Sequence, residues 1–325
     1  MSETVTAGRP APAAPPPPPN RRRRMSLRAR RRALPWALLA PGLLVIGGLL
    51  LYPLGRVLWL SVQDYGLREL FQGGTNFVGA ANYTDLLSDS YLWRTALPNT
   101  VLFAVVAVGA TVVFGTLVAL LLAALRPLAR TIVISCIMVA WAMPAVSGTY
   151  VWVWIFDVDR GIVRQGLEAV GALGPEGFNW FADRLAFYAI VTLNIVHHGF
   201  PFVAVTVLAG LLTVPKELYE AAVIDGAGAW QRFWNVTVPT LRPVFAVVTI
   251  LSTIWDFKVF AQVFLMPGGD GANPAMLNFG VWSYQQGIVQ TAYGTGAAIA
   301  VLLTVMLLAV TLVYLRALFR EEEIR

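Results

Sequence analysis

The 325-residue chain is 57% apolar and only 13% charged, with a net charge of +6 and a mean hydropathy of +0.66. That is too little charge to coat a soluble globule of this length, so the composition excludes a soluble enzyme or binding module and points to the bilayer. A lone cysteine, Cys136, excludes an intrachain disulfide and a cysteine-built metal cluster.

In chain order, the first segment is Pro-rich, with Pro15–Pro19 consecutive, and ends in Arg21–Arg24, Arg28 and Arg30–Arg32. It predicts a disordered cytoplasmic tail over residues 1–32. Beside an apolar run, these arginines read as a topology signal that touches anionic membrane lipid, and not as a nucleic-acid site. Six apolar runs follow, at about 34–55, 98–124, 131–155, 186–211, 244–265 and 294–315, each long enough for a crossing of roughly 20 residues. They are continuous stretches of Leu, Val and Ala without the alternation of a membrane barrel, which predicts an all-α integral membrane protein. The first run is too long for a cleaved signal peptide and reads as a retained helix. Residues 33–95 then comprise the first helix and an outer loop, 96–316 the transmembrane core with a loop at 213–243, and 317–325 a cytoplasmic tail.

Cytoplasmic flanks collect basic residues. With the N-terminus inside, that side receives the tail arginines, Arg126, Arg130, Lys216, Arg232, Arg242, Arg316, Arg320 and Arg325. The outer loops have Arg56, Arg68, Arg94, Arg160, Arg164 and Arg184 against an excess of acids. Both termini and the 213–243 loop are therefore expected to be cytoplasmic.

Energy has to come from another chain. The two lysines lie in PKEL (Lys216) and FKVF (Lys258), and neither belongs to a GxxxxGK[ST] phosphate loop. His197 and His198 are adjacent, so about 100° apart on a helix and badly placed to share a metal. Neither HExxH nor GxSxG occurs.

The informative stretch is KELYEAAVIDGAGAWQRFWNVTVPTLRP, Lys216 to Pro243. Pro215 suits a first helical turn, Lys216–Ile224 are good helix formers, and Asp225-Gly226 stops the helix because Gly accepts left-handed geometry. A second short helix from about Gly228 to Val236 leads to Pro239 and the fifth span. Ala221, Ala222, Gly226 and Ala227 keep the surface low while Glu220 and Asp225 offer acceptors, which suits a short helix entering a partner's groove.

Glu220-Ala221-Ala222, Gly226 after three residues, and Val236-x-Val238-Pro239 after nine more resemble the EAA loop of ABC-importer permeases, EAA-x3-G-x9-I-x-L-P. FVGAANY (Phe77–Tyr83) and PNT (Pro98–Thr100) resemble further segments of the sugar-type members. WDFKVFAQV departs from relatives that carry an acid at the position of Ala261, and PGGDGANP from a compact Gly-Gly-Gly-Pro loop. The resemblance implies a type I importer fold and a coupling helix seated in a cytoplasmic ABC ATPase. It also implies a second permease in a heterodimer, two ATPase copies, an extracytoplasmic solute-binding protein and a sugar substrate, an oligosaccharide or glycoside. The alternatives are an importer of a non-sugar solute or a stand-alone ion-coupled transporter using Asp256 and the histidine pair.

Ionisable groups inside spans usually face a cavity or a partner helix. Asp256 and Lys258 lie on nearly opposite faces of a fifth-span helix, and Lys258 has the length to snorkel. A sugar route wants aromatic faces with amide or hydroxyl groups, which selects Asn194, Trp255, Asp256, Phe257 and Gln262. Pro144, Gly199 and Pro201 are expected to interrupt the third and fourth spans.

Overall fold

The computed structural model describes residues 27–174, 176–267 and 273–322. The chain divides into two units, 1–54 and 55–325. In the first, helix α1 (Leu27–Ile46) runs through Pro35 and Pro41 into a π-helical turn, Gly47–Leu51. Residues 27–32, expected to be disordered, form its first turns, because Leu, Ala and Arg are strong helix formers. The rest of the expected tail, up to residue 26, lies outside the described residues. Helix α2 (Tyr52–Leu60) follows, and Leu38–Leu60 is long and apolar enough to cross a membrane.

Short helices α3 (Leu67–Gln72) and α4 (Ala81–Ser88) precede a π-helical turn at Leu92–Ala96 and the long α5 (Leu97–Ala124). Next come α6 (Pro127–Trp141), α7 (Ala145–Ile155), α8 (Ile162–Ala169) and the long α9 (Arg184–Leu211). After α10 (Lys216–Ile224) and α11 (Ala229–Arg232), a π-helical turn at Phe233–Thr237 leads to α12 (Val238–Thr240) and α13 (Arg242–Phe257). The chain closes with α14 (Ala261–Leu265), α15 (Phe279–Tyr284) and α16 (Tyr293–Glu322). Residues 317–322 of the expected C-terminal tail thus continue α16, and 323–325 lie outside the described residues.

The bundle is organised on α5 and α9. Buried positions of α5 recur every fourth residue, at Asn99, Phe103, Ala107, Thr111, Gly115 and Ala119, giving one continuous stripe. Arg184 bonds Asn99, Gly199 abuts Thr111 and Val203 abuts Gly115, so the two helices run in the same direction. Small residues make the approach close: a methyl group on Gly115 would lie 2.6 Å from Val203 Cβ and 3.1 Å from the Phe200 carbonyl oxygen. Gly210 abuts Leu241 and Val244, which brings α13 back antiparallel from the end of α9.

Two parallel spans need a crossing between them, and α6 with α7 supplies it as a broken pair bent by 92° at Ala142–Pro144. The third span, read at about 131–155, is thus broken at Pro144, as expected of a residue with no N–H to continue the ladder. Gly199 and Pro201 do not interrupt α9, which continues through both. Pro201 is buried and Gly199 packs on Thr111, so neighbouring helices support the segment around the carbonyl that the proline leaves without a donor.

The two bundle ends are tied by polar side chains. Arg130 Nε donates to the Leu122 carbonyl at 2.9 Å and its Nη2 to the Ala123 and Leu125 carbonyls at 2.9 and 3.3 Å, satisfying the last turn of α5. At the other end Asn99, from the PNT motif, donates to the Ala275 and Leu277 carbonyls at 3.0 and 2.8 Å and accepts from Arg184 Nε at 2.8 Å. Asp183 caps α9 by accepting from the Ala186 amide.

The α5–α9 contact makes a paired prediction. Gly115→Ala should destabilise the detergent-solubilised protein by about 1–3 kcal/mol, the usual overpacking cost. Gly109→Ala on the same helix, where a methyl group meets nothing within 4 Å, should leave the thermal midpoint unchanged or raise it. Equal midpoints for both variants would contradict the packing account.

Candidate functional site

Two features stand apart from the packing, one at the end of α9 and one beside α13. The first is the α10–α11 loop. Helix α10 spans Lys216–Ile224 as its composition predicts, with Pro215 immediately before it. Gly226 follows at φ +80°, the left-handed geometry expected of it. Its N–H donates to the Val223 carbonyl at 3.0 Å and the Ala227 N–H reaches the Ala222 carbonyl at 2.9 Å, the pair of bonds that defines a Schellman stop. No neighbour lies within 4 Å of a methyl group on Gly226, so dihedral geometry and not space demands glycine.

Tyr219 Oη and Thr237 Oγ1 lie 2.9 Å apart and fasten α10 to the turn before α12, which contains Pro239. The Gly228 N–H donates to Gln231 Oε1 at 2.9 Å and closes the first turn of α11. On this fixed frame Glu220, Ala221, Asp225 and Gly226 are exposed, and Ala222, Ala227 and Pro239 are half-buried. Ile224 is 85% exposed and Val223 53%. Exposed apolar side chains thus lie beside Glu220 and Asp225 on one loop surface. A shallow hollow of about 350 Å³ on it is lined by Tyr219, Glu220, Val223, Ile224 and Arg232.

The second feature is a cavity of about 460 Å³ where two helix breaks meet. Trp141 and Ala145 line it from either side of the α6–α7 break, and Lys258, Val259, Phe260 and Ala261 from the α13–α14 break. Ile195, His198 and Gly199 of α9 complete the opposite wall. Of the residues expected to form a substrate path, Trp255, Asp256 and Gln262 line this cavity. Asn194 and Phe257 are buried and do not line it. Asp256 is 6% exposed, and its Oδ2 is buried with no hydrogen-bond partner among the described residues. Lys258 is exposed and also lines the cavity. Phe202 packs edge-on against Trp255 at 5.0 Å and stacks with Trp141 at 6.3 Å, an aromatic row beside the opening.

Sequence reasoning missed Trp141 and Phe260 as wall residues and singled out Gly199 only as a helix interruption. Pro144 was the available signal for the first, because a helix break at membrane depth has to face protein or a cavity. His197 and His198 diverge as their spacing requires: His198 lines the cavity, while the His197 ring lies 5.9 Å from Trp152.

The family model of the binding-protein-dependent transport system inner membrane component matches residues 112–321. The chain is 38% identical over 289 residues to the diacetylchitobiose uptake system permease protein DasB of Streptomyces coelicolor, covering 89% of this chain and 88% of that one. It is 31% identical to the sulfoquinovosyl glycerol transport system permease protein SmoG of Agrobacterium fabrum, over 90% and 92% of the two chains. The trehalose/maltose transport system permease protein MalF of Thermococcus litoralis is also 31% identical, over 89% of this chain and 95% of its own. In structure the chain is similar to one from a bacterial ABC transporter involved in import of the acidic polysaccharide alginate, with TM-score 0.74 and 18% identity over 90% and 96% of the chains. That likeness shows an ABC importer's membrane-subunit fold. The chain belongs to the family of binding-protein-dependent transport system inner membrane components, multi-pass proteins of the plasma membrane.

Proposed function

We propose that this chain is a permease subunit of an ABC importer for a sugar, an oligosaccharide or glycoside, driven through the α10–α11 loop by a separate ATPase. The observation that carries the reading is that loop: a rigid, Schellman-stopped helix whose exposed face presents Glu220, Ala221, Val223 and Ile224. The assembly contains a second permease in a heterodimer, two copies of a cytoplasmic ABC ATPase and an extracytoplasmic solute-binding protein. Both termini and the loop lie on the cytoplasmic side, and residues 96–316 form the transporting core. The sugar class is supported by the printed names of the relatives, and by a cavity that combines Trp255 with the acceptors Asp256 and Gln262.

Mechanistically, closure of the ATPase pair on ATP draws the two permeases' coupling helices together. Because Tyr219 fastens α10 to the turn before α12 and α13, that displacement reaches the cavity wall through a short, stiff path. The cavity then opens to the outside and receives sugar from the docked binding protein. Glu220, Ala221, Ala222, Asp225, Gly226, Ala227 and Pro239 build the coupling surface, whereas Trp255, Asp256 and Gln262 meet the sugar.

Gly226→Pro should leave membrane insertion intact and abolish both ATPase co-purification and uptake, since proline has no N–H for the Val223 carbonyl and cannot take φ +80°. Pull-down from native membranes with mass spectrometry reads this out, and normal uptake in the variant would refute the coupling role. Asp256→Ala should keep the ATPase bound and weaken uptake by about two- to tenfold, as expected for losing one hydrogen bond worth roughly 0.5–1.5 kcal/mol. Unchanged half-saturation would remove Asp256 from the path.

A further inference from the structure

The segment Pro274–Phe279 is fastened at almost every residue. Tyr91 Oη donates to the Pro274 carbonyl at 2.6 Å, Asn99 Nδ2 to those of Ala275 and Leu277, and Tyr188 Oη to that of Met276 at 3.0 Å. The Phe279 N–H donates to Thr100 Oγ1 at 3.0 Å. Four successive carbonyls and one amide are thus clamped to the first turns of α5, to Tyr91 just before it, and to α9. Main-chain groups held this way make the strap move as one piece with the bundle end opposite the α10–α11 loop.

The residue left over is Asn278, which is 1% exposed. Its Oδ1 accepts from the Val281 N–H at 3.0 Å and caps α15, while its Nδ2 donates to the Val259 carbonyl at 2.6 Å. Val259 sits in the α13–α14 break, where the backbone leaves helical geometry at Phe260 with φ −123° and ψ −54°. A carbonyl at such a break has left the helical ladder and needs a donor from elsewhere. Val259, Phe260 and Ala261 form the cavity wall on this side. One side-chain amide therefore bridges the clamped strap and the wall.

The geometry points to Asn278 as a positioning residue for transport: its amide pins the α13–α14 break to the strap, so the cavity wall moves with the end of the bundle to which the strap is clamped. This rests on the importer reading above and adds the element by which a change at that end reaches the cavity. The strap contributes no side chain to the cavity wall, so Asn278 acts through Val259 and not on the sugar itself.

The test uses the full complex with Cys136→Ser and Ala261→Cys, whose new thiol reports the wall. N-ethylmaleimide labelling rates are compared between the nucleotide-free complex and the complex trapped with ATP and orthovanadate. Asn278→Ser and Asn278→Asp both keep a capping oxygen for α15 but lose the donor to Val259. In the parent, trapping should change the rate about fivefold or more, and both variants should collapse that ratio towards one, the scale expected for losing one buried hydrogen bond. A general loss of stability would lower yield without changing the ratio among assembled complexes. If the Asn278 variants do not assemble, Tyr188→Phe, which frees the Met276 carbonyl at the far side of the strap, should reduce the ratio in the same direction. An unchanged ratio in the assembled variants, or a parent complex that holds its ATPase but shows no trapping effect, would overturn the proposal. A parent chain that recovers no ATPase would instead overturn the importer reading.

Discussion

A backbone carbonyl inside a bilayer has no water to turn to, and that constraint decides where this chain is allowed to leave helical geometry. Among the described residues, two such departures fall within candidate spans, at Ala142–Pro144 and at Lys258–Phe260. Both breaks open on the same cavity of about 460 Å³. The long unbroken helices α5 and α9 hold the breaks together. Their shared stripe of Gly, Ala and Thr lets two backbones approach closely without relying on a hydrophobic force that lipid would not supply.

Parallel α5 and α9 run from the Asn99–Arg184 pair at one end to the Arg130-capped turn at the other. The protruding loop leaves α9 at that second end and delivers α13 back into the bundle, so it is mechanically upstream of the wall that α13 and α14 form. The Tyr219–Thr237 hydrogen bond braces it internally, and Val214, Tyr219 and Val236 pack it onto the core cluster around Leu122, Val203 and Leu208.

Local chemistry made the loop legible in the sequence. Helix-forming residues, the Asp225-Gly226 stop and the spacing to Pro239 fix α10 almost to the residue, and the positive φ of Gly226 follows from the absence of a Cβ. The spans were legible for a similar reason, since continuous apolar runs carry their own signature. The cavity was legible only in part. Asp256 and Trp255 betrayed themselves as polar or amphipathic groups inside a span, but Asn194 and Phe257, equally suitable in chemistry, are turned into the packing. Which face opens on a cavity depends on residues far away in sequence, such as the Asn278 amide on Val259. Pro201 illustrates the reverse limit: a residue that breaks helices in water lies inside an uninterrupted helix here.

The central claim, that the α10–α11 loop is the seat of the ATPase, is tested most directly by proximity at Ile224. In a Cys136→Ser background, Ile224→Cys carrying a photoreactive thiol reagent would be irradiated in native membranes and its adducts identified by mass spectrometry. Phe71→Cys, 79% exposed in α3 before the second span, is the comparison site. The account predicts an adduct with an ABC ATPase from position 224 and none from position 71. No ATPase adduct from position 224, or the same adduct from both positions, would contradict it.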